Sequence, residues 1–521
     1  MTNQNCDIEK NHTAQSIAGF VILFVLFGSG CSTIRPKLQD EYRRSGLSDG
    51  MSKILDEYRQ TIIAKMTKNK IPGLSVALVD RDGIIWTAGF GYTDYNRKTP
   101  VTPETIFAIM SMTKTITATA VMIAVRDGLV DLDVPIINYY PEFMVNSRFE
   151  ENPQKKITLR HLLNHTSGIA HEAPVGNGRE PSCLSLEDHV ESISSTWLKH
   201  KVGEGYNYSG LGYDLAAYIL ELRSGKPYAK YLEEKIFNPL KMYNSSVDNE
   251  FIKQNSNRAI GHYPFVKQIC MAGDIPWDGC GGVYANAKEM AQFIQMFLND
   301  GKFPGQEFID ENVIKAMATP TVYNSTDGMG FIIYNDHQGF YRFGHPGQGL
   351  GFTSSMEWIP EYGVGFVFLA NSDVPLPFGG DNSDILLELV NKQLVQKTKS
   401  FEIPSVETIN DNQPLDPNNF TPFKAEWKKY IGTYKYVMSG YKFDIPAGIA
   451  LALGITTEYT HVKIYKKEGY LYIDSMIIQN DNDGGRLDEY LPGLFFTPSG
   501  KCLDLRGPKL TWENYTIKKV R

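Results

Sequence analysis

The sequence predicts an α+β fold, in which an antiparallel sheet is flanked by helices, with a helical subdomain and a small C-terminal all-β domain. A strand hairpin lies near the N-terminus, and a run of consecutive strand-like segments follows a long helical middle. After residue 423, short strand-like segments alternate with glycine turns. Because sequential strands with short links pair antiparallel, we expect the helices to lie around one sheet rather than between parallel strands.

The first two elements are a helix and a hairpin. Apolar residues recur at helical spacing from Ile54 to Met66, which predicts an amphipathic helix over 48–68. Residues 73–79 and 84–90 are apolar, strand-like and separated by Asp82-Gly83. An Asp-Gly pair between such segments is a strong hairpin signal.

The next element is a long apolar run over 106–128 that ends at Gly128, as a helix with a glycine cap does. Ser111 and Lys114 lie three residues apart in it, which places both side chains on one helical face. Alternating threonines from Thr113 to Thr119 indicate a strand instead. The helix is preferred because the run is long, and each threonine costs only roughly a few tenths of a kcal/mol relative to alanine.

The remaining elements of this domain are helices followed by strands. We expect the early hairpin and the late strands to share one sheet. The predicted helices are 157–163, 211–223, 228–236, 288–298 and 384–396, and the predicted strands are 330–334, 340–343, 352–358 and 363–370.

Composition divides the 521-residue chain into four segments, since one domain usually has roughly 100–200 residues. Residues 1–34 form a targeting segment and 35–400 the α+β domain. Residues 401–422 are rich in proline, asparagine and aspartate, as a linker is. Residues 423–521 are predicted to form a barrel or a sandwich.

The N-terminal segment predicts export. A short apolar run over 17–27 is followed by small residues and Cys31, as at a bacterial lipoprotein cleavage site where the cysteine is lipidated. The alternative is an uncleaved membrane anchor, although the run is short for a span of about 20 residues. Either way, we expect a periplasmic or cell-surface protein that is held to the membrane only by this segment.

Charge and cysteine content exclude several classes of function. The net charge is −7 and no basic block occurs, which argues against nucleic acid as the partner. Six cysteines without a CxxC pattern argue against a thiolate zinc site. Whether Cys270 and Cys280 pair cannot be decided from their spacing.

A serine hydroxyl beside a lysine amine is one way to make a nucleophile, since serine needs an adjacent base. The Ser-x-x-Lys pattern is weak by itself, because it occurs again as Ser439–Lys442 in the predicted β domain. There, strand alternation would place the two side chains on opposite faces. Ser111 and Lys114 differ in context, since an apolar approach precedes them and an apolar helix follows.

That context resembles the serine β-lactamase and penicillin-binding-protein superfamily, in its class C-like branch with esterases and D-aminopeptidases. Residues 106–143 of this chain resemble the first motif of the superfamily. Residues 157–168, ITLRHLLNHTSG, resemble the helix that is characteristic of the branch. Residues 206–218, YNYSGLGYDLAAY, resemble the family's second motif, which contains a tyrosine. Residues 343–355, FGHPGQGLGFTSS, resemble its third motif. The resemblance covers about residues 71–394 and implies a β-lactamase/transpeptidase-like serine hydrolase domain over 35–400.

The resemblance implies roles for individual residues. Ser111 matches the acylated nucleophile, and Lys114 matches the base or base-tuner beside it. Tyr208 matches the proton-carrying tyrosine, with Tyr206 as the alternative. Gly210 stands where an asparagine is common in the family, which affects the expected positioning of substrate.

His345-Pro346-Gly347 matches the third motif, which the resemblance places on a sheet-edge strand that lines the cleft. The resemblance implies an oxyanion hole made by the backbone N–H groups of Ser111 and Gln348. Gly347 would let the strand approach the substrate closely. His345 replaces a common lysine, and a mostly neutral imidazole attracts a substrate carboxylate weakly. This favours esters, or peptides with other recognition features, over β-lactams.

These observations predict a serine hydrolase that cleaves an ester or amide of a small molecule or peptide through an acyl-enzyme on Ser111. No metal or cofactor is implied, since His161 and His165 lack the glutamate of an HExxH motif. One alternative is a D-amino-acid peptidase, carboxypeptidase or weak β-lactamase that acts on cell-wall material. Another is a catalytically idle penicillin-recognising binding protein. The sequence leaves the oligomeric state and the role of the β domain open.

Overall fold

The structure is a computed structural model that describes most of the chain after residue 37. Several predictions concern residues outside the described part, namely Cys31, Cys270, Ser439 and most of the 401–422 segment. Among the described residues, no helix is long and apolar enough to cross a membrane. The described residues are 38–42, 47–95, 98–178, 184–262, 267–268, 275–324, 326–335, 339–373, 384–403, 421–437, 441–442, 461–475, 485–497, 501–506 and 508–520.

The helices and strands of the larger domain follow the predicted order. Its helices are α1 (Asp49–Asn69), α2 (Thr113–Arg126), α3 (Leu159–Leu163), α4 (Leu186–Glu191), α5 (Gly210–Ser224), α6 (Tyr228–Leu232), α7 (Asn249–Gln254), α8 (Ala287–Leu298), α9 (Glu311–Met317) and α10 (Asp384–Asn391). Its strands are β1 (Leu38–Tyr42), β2 (Gly73–Asp80), β3 (Gly83–Gly91), β4 (Phe107–Ala108), β5 (Lys267–Gln268), β6 (Tyr284–Ala285), β7 (Ile332–Asn335), β8 (Tyr341–Gly349), β9 (Phe352–Ile359) and β10 (Val364–Ala370).

One antiparallel sheet organises this domain, with the strand order β1-β3-β2-β10-β9-β8-β7. The early hairpin and the late strands share it as predicted, because β2 pairs with β10 along its length. Alternate residues of β2 face two separate cores. Ala77 and Val79 pack with the helical subdomain, and Val76 and Leu78 pack under α1 and α10. The α+β prediction is therefore confirmed.

Helix α2 resolves the conflict between the two periodicities. Residues Thr113–Arg126 are helical and the chain leaves the helix at Gly128, whose φ is 72°. The threonine hydroxyls bond to groups around the helix. Thr115 Oγ1 donates to the carbonyl of Gly330, and Thr117 Oγ1 donates to that of Gly279. Buried hydroxyls with partners explain how a helix tolerates this sequence.

The C-terminal domain is a closed barrel of eight antiparallel strands, which decides between the two predicted all-β architectures. Its interior holds the apolar side chains of Trp427, Phe495 and Trp512. The barrel strands are β11 (Gly432–Tyr436), β13 (His461–Lys467), β14 (Tyr470–Asp474), β15 (Arg486–Leu491), β16 (Leu494–Phe496), β17 (Cys502–Asp504), β18 (Leu510–Trp512) and β19 (Tyr515–Lys519), while β12 (Tyr441–Lys442) pairs with β5.

Several boundaries differ from the prediction. The helix predicted over 106–128 begins only at Thr113, because Phe107–Ala108 is a strand that pairs with Tyr284–Ala285 and a 3₁₀ turn follows it. The strand predicted over 340–343 runs on to Gly349, because β8 pairs with β9 through the whole third motif. In the barrel, residues 490–496, which are one strand-like segment of the sequence, belong to two strands, since the chain turns at Gly493 with φ of 81°. Helix α10 ends at Asn391, short of the predicted residue 396. Strand β1 was not predicted, and it pairs with β3 at the sheet edge.

Candidate active site

Ser111 lies in a short 3₁₀ turn, Met110–Met112, that leads directly into α2. The chain reaches this turn from β4, and the N–H of Ile109 donates to the carbonyl of Val283 at 2.9 Å. Met110 has φ of 50°, a left-handed conformation that costs a non-glycine residue about 1–2 kcal/mol. Such strain persists where surrounding structure holds it, and here it occurs at the residue before the half-buried Ser111.

Lys114 lies one turn further along α2, and only 1% of it is exposed. Its Nζ donates to Ser111 Oγ at 3.1 Å and to the carbonyl oxygen of Cys280 at 3.0 Å. Burial lowers the pKa of Lys114, but the neighbouring Tyr208, Cys280 and Asp214 outweigh it, so the pKa is raised above its ordinary value. The ammonium form fits both contacts, because both partners are oxygen acceptors.

Tyr208 lies just before α5, which Ser209 caps by accepting the N–H of Gly212 at 2.9 Å. The Nζ of Lys114 lies 4.9 Å from the centroid of the Tyr208 ring, and Tyr208 is the neighbour that raises the pKa of Lys114 most. Tyr206, the alternative, lies near Asp327 instead, and burial followed by this carboxylate raises its pKa. The structure therefore brings Tyr208, rather than Tyr206, to Lys114.

Three histidine rings surround Tyr208. Their centroids lie at 4.5 Å for His165, 5.5 Å for His171 and 6.2 Å for His345. Burial, followed by the nearby Lys114 charge, lowers the pKa of His345 to about 3. The surrounding protein and the Lys114 charge also lower the pKa of His171, although part of its side chain is exposed. The same causes hold the pKa of His165 well below its ordinary value. At neutral pH the three rings are therefore uncharged.

Hydrogen bonds support this neutral state. The N–H of Ser209 donates to His165 Nδ1 at 3.0 Å, and the N–H of Gly210 donates to His171 Nδ1 at 3.2 Å. A protonated ring has no nitrogen that accepts, so both rings are neutral in these contacts. His345 Nδ1 contacts the carbonyl of Pro346 and must donate to it, which leaves Nε2 of the neutral ring as an acceptor.

Strand β8 lies against the chain that leads to Ser111. A Cβ at Gly347 would lie 2.4 Å from the carbonyl oxygen of Ile109, so this contact requires glycine. Ser354, opposite Gly347 on β9, donates its hydroxyl to the same carbonyl at 2.7 Å. The close approach is thus to the chain before Ser111, and a contact of Gly347 with substrate stays a prediction.

Gln348 is exposed on the wall of the same small cavity as Ser111. Its side-chain Nε2 donates to Asp373 Oδ1 at 2.8 Å. The backbone N–H of Gln348 is therefore the group that we consider as a donor to a substrate oxyanion. The oxyanion role of the Ser111 and Gln348 N–H groups stays a prediction. The structure brings both residues to one cavity.

Gly210 lies in the first turn of α5, on the cavity wall. A Cβ there would lie 3.2 Å from Cys280 Sγ and 3.3 Å from the carbonyl oxygen of His171. A larger side chain would therefore require these neighbours to shift. The Cβ of the family's common asparagine would require the thiol or the carbonyl to move by a few tenths of an ångström.

Beneath Lys114 lies a buried pair, His189 and Asp214, each 1% exposed. His189 Nδ1 bonds to the carbonyl of Val175 at 2.7 Å, and Nε2 lies 3.3 Å from Asp214 Oδ2. Both ring nitrogens face acceptors, so the ring must donate from both. Burial lowers the pKa of His189, but Asp214 outweighs it and the pKa is raised. The pair is thus an imidazolium beside a carboxylate.

Asp214 also fixes the segment that holds Lys114. Its Oδ1 accepts the N–H of Gly279 at 2.9 Å and the N–H of Cys280 at 3.0 Å. Cys280 in turn accepts from Lys114 through its carbonyl. A continuous set of contacts therefore connects His189, through Asp214 and Cys280, to Lys114.

The cavity beside Ser111 is small, ≈ 90 Å³. Glu172 and Trp277 are in its wall, and burial raises the pKa of Glu172 to about 7. Tyr323 lines a different cavity beside His161. His161 caps α3 through Thr158, and the described residues contain no group of three or more possible metal ligands.

Sequence reasoning missed His171, His189 and Asp214. His171 lies just beyond the recognised 157–168 helix motif, and Asp214 lies inside the tyrosine motif. Polar residues within otherwise apolar motif segments are the signal that could have indicated them. The contact of Lys114 with the Cys280 carbonyl had no signal, because any residue supplies a carbonyl.

Comparison with known proteins agrees with this geometry. The sequence matches the Beta-lactamase family over residues 58–391. Beta-lactamase-like protein 2 of Dictyostelium discoideum is 26% identical over 435 residues, which are 81% of this chain and 78% of that protein.

Two solved structures share the fold. The octameric penicillin-binding protein homologue from Pyrococcus abyssi has a TM-score of 0.55 and 21% identity, covering 90% of this chain and 96% of that one. The D-amino acid amidase from Ochrobactrum anthropi SV3 has a TM-score of 0.54 and 23% identity, covering 65% of this chain and 99% of that one. The family match covers more than half of the sequence and contains Ser111, Lys114, Tyr208 and His345. The chain belongs to the Beta-lactamase family, and its larger domain has the fold of the serine β-lactamases and penicillin-binding proteins.

Proposed function

We propose that this protein is a serine hydrolase that cleaves an ester or amide bond through an acyl-enzyme on Ser111. The observation that carries the proposal is the 3.1 Å hydrogen bond from Lys114 Nζ to Ser111 Oγ, with the centroid of the Tyr208 ring 4.9 Å from the same Nζ. We also place the chain in the class C-like branch, because a tyrosine lies beside the nucleophile and its lysine.

The protonation states assign different roles to Lys114 and Tyr208. The raised pKa of Lys114 keeps it an ammonium that orients Ser111 Oγ and stabilises negative charge on the Tyr208 oxygen. Tyr208 takes the hydroxyl proton as Ser111 Oγ bonds to the substrate carbonyl carbon, and the N–H groups of Ser111 and Gln348 bind the oxyanion. The leaving alcohol or amine takes that proton when the ester or amide bond breaks. Water then attacks the carbonyl carbon of the acyl-enzyme in the same way. Tyr208 takes its proton and returns it to Ser111 Oγ as the ester bond breaks and the acid is released.

His345 supports substrates without a carboxylate at this position. Its ring is buried and neutral, with its pKa at about 3, and its Nε2 is an acceptor. An acceptor nitrogen does not bind a carboxylate, whereas it accepts readily from a hydroxyl, amide or ammonium group. We therefore propose ester and amide substrates over β-lactams.

A second candidate is an amidase or peptidase for amino-acid derivatives with a free amine. Glu172, in the wall of the Ser111 cavity with its pKa raised to about 7, favours it, because the ammonium group of a bound substrate would stabilise the carboxylate form of this side chain. The structural relative from Ochrobactrum anthropi is a D-amino acid amidase, which makes D-aminoacyl amides the first compounds to test.

The test is a substrate panel of nitrophenyl esters, D-aminoacyl amides and a chromogenic cephalosporin, with fluorophosphonate labelling of Ser111. We expect hydrolysis of esters or amides, labelling that Ser111→Ala abolishes, and slow turnover of the cephalosporin. Ser439→Ala, in the second Ser-x-x-Lys match, is the control and should label like wild type. Equal labelling of wild type and Ser111→Ala would leave the idle binding protein as the better description.

A further inference from the structure

The segment that holds Tyr208 in place is itself held by the C-terminal barrel. Backbone and side-chain hydrogen bonds connect residues 207–211 to residues 165–171 opposite them. The N–H groups of Asn207 and Leu211 donate to the carbonyls of His165 and His171 at 2.9 and 3.1 Å. The side chain of Ser209 donates to the carbonyl of residue 170 at 2.7 Å, and the two imidazoles accept the N–H groups of residues 209 and 210.

The turn between β18 and β19 of the barrel is connected to residues 168–172 of this supporting segment at two points, directly at Glu172 and through Lys199 at Gly168. At one end, Asn514 Nδ2 donates to the carbonyl of Glu172 at 2.9 Å. At the other end, Lys199 Nζ contacts both carboxylate oxygens of Glu513 at 2.6 Å. The backbone N–H of Lys199 donates to the carbonyl of Gly168 at 2.8 Å, which completes the connection.

The ion pair is shielded from water. The side chain of Lys199 is 7% exposed and that of Glu513 is 13% exposed. Glu513 also accepts the N–H of Cys502 within the barrel. Removing one partner of such a buried pair leaves the other uncompensated, so this contact is costly to break.

The turn has a strained, fixed geometry. Trp512 and Tyr515 pair directly, and the two residues between them, Glu513 and Asn514, have φ of 50° and 72°. Two successive positive φ values define the tight turn that suits the twist of an antiparallel hairpin, and glutamate is an unfavourable residue for it. A glutamate in this strained turn is explained if its carboxylate is needed at the position where it pairs with Lys199.

Other contacts continue the interface beside the turn. The Trp197 ring packs edge-to-face on Phe496 and Tyr490 of the barrel, with centroids at 5.5 and 5.6 Å. The guanidinium carbon of Arg148 lies 4.6 Å from the centroid of the Phe496 ring. An aromatic, partly desolvated interface does not suit a barrel that moves freely as a separate binding module.

We propose that the Glu513-Asn514 turn positions Tyr208 by bracing residues 168–172, so that the barrel is a working part of the active site. The proposal rests on the proposed function, because it assigns Tyr208 a role in proton transfer. Glu513, Asn514 and Lys199 act through other groups and are positioning residues. Since a misplacement of about 1 Å can cost on the order of 100-fold in rate, loss of the brace should be measurable.

The experiment compares kcat and KM of full-length variants on the best ester or amide of the panel. Asn514→Gly keeps the positive-φ turn and removes only the side-chain donor. Lys199→Met breaks the ion pair, and Lys199→Arg keeps its charge. We expect kcat to fall about tenfold in Asn514→Gly and Lys199→Met with KM within about twofold, and Lys199→Arg to retain most of the wild-type kcat.

The matched control is Lys424→Met, which removes the bond from Lys424 to Glu489 on the exposed surface of the C-terminal domain. It should leave kcat unchanged while lowering the thermal midpoint no more than Lys199→Met does. If Ser111→Ala is inactive but Asn514→Gly and Lys199→Met both keep the wild-type kcat, the bracing role is wrong and the hydrolase stands. If Ser111→Ala retains full turnover, the proposed function itself is wrong.

Discussion

The candidate active-site cleft and the barrel bury their side chains in opposite ways. The cleft buries Lys114, His189 and Asp214, each with a charged or hydrogen-bonding partner. The barrel interior is dominated by apolar side chains such as Trp427 and Phe495. Burying a charge is costly unless it is paired, whereas burying apolar surface stabilises the fold directly. Changes in the cleft should therefore alter reaction and proton uptake, and changes in the barrel interior should alter stability.

The sharpest form of this contrast is Ser111→Ala. We expect turnover to fall at least ~1000-fold, because the variant cannot form an acyl-enzyme. The free energy of unfolding should stay within about 1 kcal/mol, since the half-buried hydroxyl contributes little packing. Urea unfolding followed by circular dichroism and steady-state rates on one substrate measure both effects. A large stability loss with retained turnover would reverse the contrast.

Trp427→Ala tests the apolar interior of the barrel, where a substitution should lower stability and leave the reaction unchanged. Trp427 is fully buried, and its ring lies 5.3 Å from that of Phe495. Loss of a buried tryptophan should cost about 3–5 kcal/mol of unfolding free energy. The kcat per folded molecule, measured at a temperature where the variant is folded, should match wild type. The contrast fails if kcat falls while the unfolding free energy is unchanged.

Acid pH should destabilise the cleft through His345. The pKa of this ring is about 3 in the folded chain against an ordinary 6.5, so below pH 6.5 the unfolded chain binds a proton that the folded chain does not. Stability is therefore lost as pH falls from 6.5 towards 3, by about 2 kcal/mol at pH 5 for this group alone. His345→Gln should lose correspondingly less between pH 7 and pH 5 in urea titrations. An identical pH dependence would show that His345 is not a neutral buried ring.

Asp214→Asn should have a smaller effect on rate. The amide oxygen introduced by this change still accepts the N–H groups of residues 279 and 280, but the charge that helps to raise the pKa of Lys114 is lost. Lys114 also faces Tyr208, Cys280 and three neutral histidines, and Tyr208 raises its pKa most among these groups. We expect kcat to fall about tenfold and the alkaline limb of the kcat–pH profile to move to lower pH.

The matched control is Asp133→Asn, since Asp133 pairs with Arg160 on an exposed surface. That variant should keep both kcat and the position of the alkaline limb. An unshifted limb in Asp214→Asn would show that the carboxylate only supports structure.

The larger domain was predicted well where local pattern and tertiary packing agree. Ser48 caps α1 by accepting the N–H of Met51, and α1 begins at Asp49, within one residue of the prediction. The strand that carries His345 was predicted too short, because Gly344, Pro346 and Gly347 have low strand propensity. Pairing of β8 with β9 overrides that propensity.

The candidate site shows the same division. Ser111, Lys114 and Tyr208 lie in recognisable motifs, and the structure brings them together. His189 and Asp214 lie 25 residues apart in the sequence, and their pairing had no local signal. Contacts of that kind depend on how α4 and α5 pack, which no single segment specifies.

The sequence by itself determined the fold class and the order of the motifs, and the resemblance of those motifs to a known family predicts the reaction chemistry. Those features depend on local periodicity, turn residues and residue type, which are readable along the chain. The tertiary structure decided that the histidines around Tyr208 are neutral, that Asp214 secures the partner of Lys114, and that the barrel turn contacts the segment supporting Tyr208. Protonation and positioning depend on burial and on neighbours that are distant in sequence, and only folding brings those neighbours together.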